Sequence, residues 1–119
     1  MKISFPIALL IAASSTALSA QNLPADDPAP GYSAIMKADY ATAEREIRGA
    51  DISEYDAART INLGVVLAKT GRQDAAALMF HRAMMLDNVS IVVAGGDTLS
   101  SHDVAGRALA LLRAGYFNR

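Results

Sequence analysis

The chain has 119 residues with 11 basic and 12 acidic side chains, a formal charge of −1 and no cysteine. Without cysteine there are no disulfides, thiolate metal sites or cysteine nucleophiles, and stability has to come from packing. A near-neutral charge leaves no electrostatic footprint for nucleic acid or for an anionic membrane surface.

The first segment reads as a secretory leader. "MKISFPIALLIAASSTALSA" places one positive charge at Lys2, an apolar stretch from about Ile3 to Ala13 and small residues up to Ala20, the three parts of a signal peptide. The apolar stretch is too short for a permanent membrane anchor, which takes roughly 20 residues. Cleavage is expected near Ala20, or one residue earlier on Ala17 and Ser19. "QNLPADDPAP", residues 21–30, holds three of the four prolines and is expected to be a flexible lead-in. A single domain over residues 31–119 should follow.

Residues 32–37 have room for a helix of barely one turn. Tyr40, Ala43, Ile47 and Ala50 then recur at three- and four-residue steps, which predicts a helix with Asp39 as its N-cap. A second long helix should begin near Asp51 or Ser53, with Glu54 or Asp56 in capping-box position. Its apolar face is wide: Ala57, Thr60, Ile61, Gly64, Val65, Leu67 and Ala68. Lys69 falls in its last turn, and Gly71 is a natural left-handed residue just past its end. A third helix runs from about Arg72 to Leu86 with Asp74 in its first turn. The β-branched Val89, Ile91, Val92 and Val93, followed by Gly95, Gly96 and Asp97, predict a short hairpin whose outer strand could accept another. In the last helix, Ser100 or Ser101 caps the start and Val104, Ala108, Leu111 and Leu112 form the stripe. Gly115 ends it, and Tyr116 should fold back on Leu111.

Gly64 stands out because a glycine inside a helix costs about 1 kcal/mol relative to alanine, so a compensating close approach is expected. The chain also matches itself: Ala43, Ile47 and Ala50 fall on Ala76, Phe80 and Ala83, each displaced by 33 residues, near the roughly 34-residue period of helix-hairpin repeats. With Leu63, Gly64 and Leu67 in one helix, and Ala76, Phe80 and Ala83 in the next, residues 56–88 resemble a tetratricopeptide repeat. Residues 31–50 look like a truncated earlier unit. The match departs at Thr60, where a large residue is common, and at Asn88, where proline is usual. Residues 89–116 lie outside it, as a hairpin and capping helix. The implied fold is mainly α, made of antiparallel helix hairpins with a short C-terminal β-hairpin and a final capping helix. Leu63, Leu67 and Phe80 should fill the space around a crossing of Gly64 on Ala76.

The resemblance implies a protein or peptide partner held in a groove lined by first helices, which here carries Ala58, Ile61, Asn62, Val65, Ala68 and Lys69. Where some peptide-binding members present lysine and asparagine to a terminal carboxylate, Ile61 and Val65 are apolar. Asn62 could meet a peptide backbone, though a plain structural role is preferred. One and a half repeats cannot bury a continuous core, so something must cover Ile61 and Val65. The C-terminal hairpin and helix are the favoured cover, with a second copy or a foreign partner as the other choices.

Little points to chemistry. His81 and His102 lack metal-ligand spacing, and His81 reads as a surface or rim residue. Ser100, Ser101, His102 and Asp103 have the residue types of a hydrolytic triad, but neighbours at a helix start ordinarily cap it. Gly95 and Gly96 lack the lysine of a phosphate loop and read as a tight turn. Met79, Met84 and Met85 should fill core, or else form an adaptable patch. The expectation is an exported, periplasmic or secreted interaction or scaffolding module that is no enzyme, holds no cofactor or metal and binds no nucleic acid. The alternative is a self-associating structural protein.

Overall fold

The computed structural model describes the backbone of residues 11–15 and all of residues 29–118. The rest of the expected leader, and the lead-in as far as residue 28, lie outside the described residues. In chain order come strand β1 (Ile11–Ser15), helices α1 (Tyr32–Met36), α2 (Tyr40–Gly49), α3 (Ala57–Lys69) and α4 (Gln73–Met85), strands β2 (Ser90–Val93) and β3 (Thr98–Ser100), helix α5 (Ser101–Arg113) and a closing 3-10 turn at Tyr116–Asn118. The fold is mainly α with a small antiparallel sheet, as the residue patterns predict.

Helix starts follow from side chains that accept amide hydrogens left over in the first turn. The Asp39 carboxylate accepts from the Thr42 amide at 3.3 Å, and Ser100 Oγ accepts from the Asp103 amide at 3.0 Å. The expected start of the second long helix at Asp51 or Ser53 is corrected. Asp56 is the N-cap, accepting from the Arg59 amide at 2.9 Å, while Ser53 Oγ takes the Tyr55 amide at 2.9 Å and closes a separate turn. Gly71, at φ +84°, ends α3: its amide reaches the Ala68 carbonyl at 3.3 Å, and the Arg72 amide reaches the Leu67 carbonyl at 2.9 Å. This paired closure needs a left-handed residue, which glycine adopts without steric cost.

Helix α3 is the centre of the molecule. All its residues except Arg59 and Lys69 are buried, and a helix buried on every side needs neighbours on every side. It has them in α2, α4, α5, β1 and the closing turn. Around it Ile47, Phe80, Ile91 and Val104 are fully buried. The paired positions Ala43 and Ala76, and Ile47 and Phe80, all lie in this one core. Ala83 is buried with them, whereas its counterpart Ala50 sits half-buried at the end of α2.

The close approach at Gly64 is present, and the atoms nearest it belong to Phe80, one of the side chains expected around the crossing. A Cβ placed there would lie 2.5 Å from Cε1 and 2.8 Å from Cδ1 of Phe80, and the three nearest atoms all belong to that ring. Helical side chains lean toward the N-terminus of their helix, so Phe80 reaches back over the turn that carries Ala76. The ring fills the gap that a methyl was expected to face. Leu63 and Leu67 are buried in the same cluster.

The β2–β3 hairpin forms as expected, turning through Gly95 and Gly96 at positive φ. A third strand joins it on the other side. The sheet order is β1-β2-β3, with Ala13 opposite Val92, Ser14 opposite Ile91 and Ser15 opposite Ser90, and an irregularity between Ile11 and Ala13. The composition of residues 1–20 predicts a leader and no strand.

Candidate interaction surface

The groove implied by first-helix packing is filled. Ala58, Ile61, Asn62, Val65 and Ala68 are all buried. The cover is composite. Helix α5 and the closing turn lie against α3 from the C-terminal side, as favoured, and β1 lies against it as well. Asn62 takes the structural role: its Nδ2 donates to the Pro30 carbonyl at 3.4 Å, pinning the start of the domain across the helix. A fully buried amide needs such partners, because an unsatisfied one costs about 1–3 kcal/mol.

Lys69, the sixth groove residue, is exposed. Its ammonium lies over the rings of Tyr116 and Phe117, 6.0 and 5.7 Å from their centroids. Those rings meet edge-on at 5.5 Å, and Phe117 stacks on Phe80 at 6.5 Å. Gln73 Nε2 donates to Asn118 Oδ1 at 3.0 Å and to the Ala68 carbonyl at 3.2 Å. The last residues are therefore fastened onto the α3–α4 turn by packing and polar contacts together. Tyr116 and Leu111 are both partly buried against the core. Phe117, which no sequence pattern marks, is the more buried ring.

An open surface lies at the opposite end of α3. Tyr55 and Met85 are 66% and 85% exposed, and they flank a recess of about 390 Å³ lined also by Asp56, Ala57, Leu86, Asp87 and Val89. Arg82 rests over the Tyr55 ring at 5.8 Å and pairs with Glu54 at 3.5 Å. The methionine expectation is therefore corrected in part. Met79 packs against the core, but Met84 and Met85 are exposed while their neighbour Ala83 takes the buried face of α4.

The serine–histidine–aspartate run does not assemble a nucleophile. Ser101 is fully buried; its Oγ accepts from the Val89 amide at 3.0 Å and lies 3.4 Å from Asn88 Oδ1. His102 Nε2 is 2.6 Å from the Leu86 carbonyl. A carbonyl only accepts, so that nitrogen carries the proton and donates. The Asn88 side chain accepts from the His102 amide at 3.0 Å. Together these contacts latch the end of α4 to the start of α5. His81 is exposed on α4.

One strong charge cluster stands apart from these surfaces. Glu44 on α2 accepts from both guanidinium ends of Arg72, at 2.6 and 3.1 Å, and from Arg48 Nε at 2.9 Å. The hydrogen bonds from Arg72 and then Arg48 hold its carboxyl down from the ordinary 4.5 to about 2. The same carboxylate raises the Arg72 pKa. This bridge ties the first helix hairpin to the turn that opens α4.

Comparison with protein-family models, with curated proteins and with solved structures finds no match to this chain.

Proposed function

We propose that this chain is an exported interaction or scaffolding module of the bacterial cell envelope, built like a tetratricopeptide unit and acting by holding a protein or peptide partner rather than by catalysis. One observation carries the reading. Two successive helix hairpins, α1–α2 and α3–α4, bring residues 33 positions apart, Ala43 with Ala76 and Ile47 with Phe80, into a common core around a glycine that the Phe80 ring overlies. With the first-helix groove filled, the partner's footing is the exposed apolar ground at Tyr55 and Met85. Tyrosine and methionine suit that role, the one as a rigid amphipathic anchor and the other as an adaptable contact.

The test is to express the full chain in a bacterium, fractionate the cells and measure the intact mass of the product. A photo-crosslinking residue at Tyr55 is compared with one at the exposed Glu46. Export with loss of about 20 residues, and a discrete protein adduct from position 55 alone, are the expected results. An uncut cytoplasmic chain, or no adduct from either position, would overturn the proposal.

A further inference from the structure

The backbone groups of β2 alternate in direction along the strand. The Val93 amide donates to the Asp97 carbonyl at 2.9 Å, and the Val89 carbonyl accepts from the Ser101 amide at 2.7 Å. Residues 89, 91 and 93 thus turn their amides and carbonyls toward β3, so Ser90 and Val92 turn theirs toward β1. Opposite these two stand Ser15 and Ala13, both within the segment read as a leader. If the leader is removed, two amides and two carbonyls lose their strand partner, and a strand that was central becomes an edge.

That edge lacks the charges, proline and bulge by which proteins guard exposed strands. Ser-Ile-Val-Val has no lysine and no proline, and the sheet's irregularity lies on β1, between Ile11 and Ala13, rather than on β2. The opposite edge is better protected, since β3 has only three residues and runs straight into α5. The seat is also more than a row of hydrogen bonds. The backbone of β1 runs beside α3, a helix whose buried residues are nearly all apolar, so a strand that leaves uncovers apolar ground and one that enters covers it again.

We propose that the β2 edge is a strand-accepting seat, filled in the exported protein by an extended segment of a partner protein that carries small and apolar side chains. The segment adds antiparallel to β2 in the register that Ile11–Ser15 shows. A lone strand of that composition, Ile-Ala-Ala-Ser-Ser, is what the seat holds in this structure. A second copy would arrive with β3 and α5 attached to its β2 strand, whereas a free segment brings no such bulk. Main-chain pairing would supply the affinity, and the nearness of α3 to the strand would favour small residues. This deepens the interaction-module reading and rests on it, and on removal of the leader.

The test uses the chain expressed in full and purified after export, with the cut located by intact mass. A fluorescein-labelled peptide with the sequence of residues 8–17 is titrated in and followed by anisotropy. Two further peptides carry a single N-methyl group, at the positions of Ala13 or Ser14. The Ala13 amide faces Val92 and the Ser14 amide faces away, so the first methyl group should weaken binding about ten-fold or more and the second should leave it within about two-fold. No anisotropy change with the parent peptide, or equal binding of both methylated forms, overturns the seat. So does a dimer by light scattering that the peptide does not dissociate, since a second copy would then hold the edge. An intact mass that retains residues 1–20 instead removes the leader reading on which the proposal rests, and the two failures are told apart by that measurement.

Discussion

At position 64 two effects of opposite sign compete, and their sizes decide the outcome. Replacing glycine by alanine in a helix ordinarily gains about 1 kcal/mol. Here the new methyl would sit 2.5 Å from the Phe80 ring, and that ring is fully buried, so it cannot swing aside into solvent. Overpacking of this kind costs about 1–3 kcal/mol. Gly64→Ala is therefore expected to lower unfolding stability by up to about 2 kcal/mol once the propensity gain is set against it. Phe80→Leu should relieve part of that loss, and urea denaturation of the two single variants and the double variant measures the coupling. A stabilised Gly64→Ala protein would mean that the ring does not lie where described. The need for a close approach was legible in the sequence, because an interior glycine in a good helix demands one. Phe80 was legible as a filler of that crossing but not as the group in closest contact, since spacing along a helix gives the face that a side chain shares but not how far a ring leans back across it.

Among the elements, the helices with side-chain caps were read nearly to the residue, and the errors came where several caps competed. Asp51, Ser53 and Asp56 are all good N-cap types; the last one wins because α3 can then begin where its buried run begins, and Arg59 Nε reaches the Ile47 carbonyl at 3.1 Å. Asp56→Ala is expected to cost about 1 kcal/mol, and Ser53→Ala only a few tenths, by thermal or chemical denaturation. The reverse ranking would restore the earlier start. The closing turn illustrates a different limit. Gly115 correctly marked the end of α5, but three residues beyond a glycine carry no periodicity, so nothing local marked Phe117 as core. Its contact with Phe80 is made across the fold and is invisible to a pattern. Phe117→Ala should cost about 3 kcal/mol and loosen the turn that Lys69 and Gln73 hold. Loss of that magnitude with retained helical circular dichroism would separate lost docking from general unfolding.

At the scale of the whole molecule, the joining of the two hairpins is partly electrostatic and therefore depends on pH. Periodicity brought Glu44 to light only as one acid on a charged helix face; Arg72 is 28 residues away, and nothing short of the α2–α3 geometry brings them together. The third strand is hidden for a related reason, since Ile11–Ser15 pairs with Ser90–Val93, far along the chain, and nothing in its local pattern marks that partner. For the Glu44 bridge the sign is determined by the direction of the shift. A carboxyl that titrates at about 2 in the folded chain and near its ordinary 4.5 in the unfolded one binds its proton more readily when unfolded, so its contribution is fully present above pH 4.5 and is lost as pH falls toward 2. Arg72 is 45% exposed and Glu44 21%, and solvent screening at such sites holds an ion pair to about 1 kcal/mol. Glu44→Gln should accordingly be less stable than the parent by about 1 kcal/mol at pH 7, with the gap closing between pH 4.5 and 2 and shrinking in about 1 M salt. Denaturant midpoints across that pH range provide the measurement. A gap unchanged at pH 2 would assign the contact to shape and hydrogen bonding, and would leave the two hairpins held by the apolar core around α3 alone.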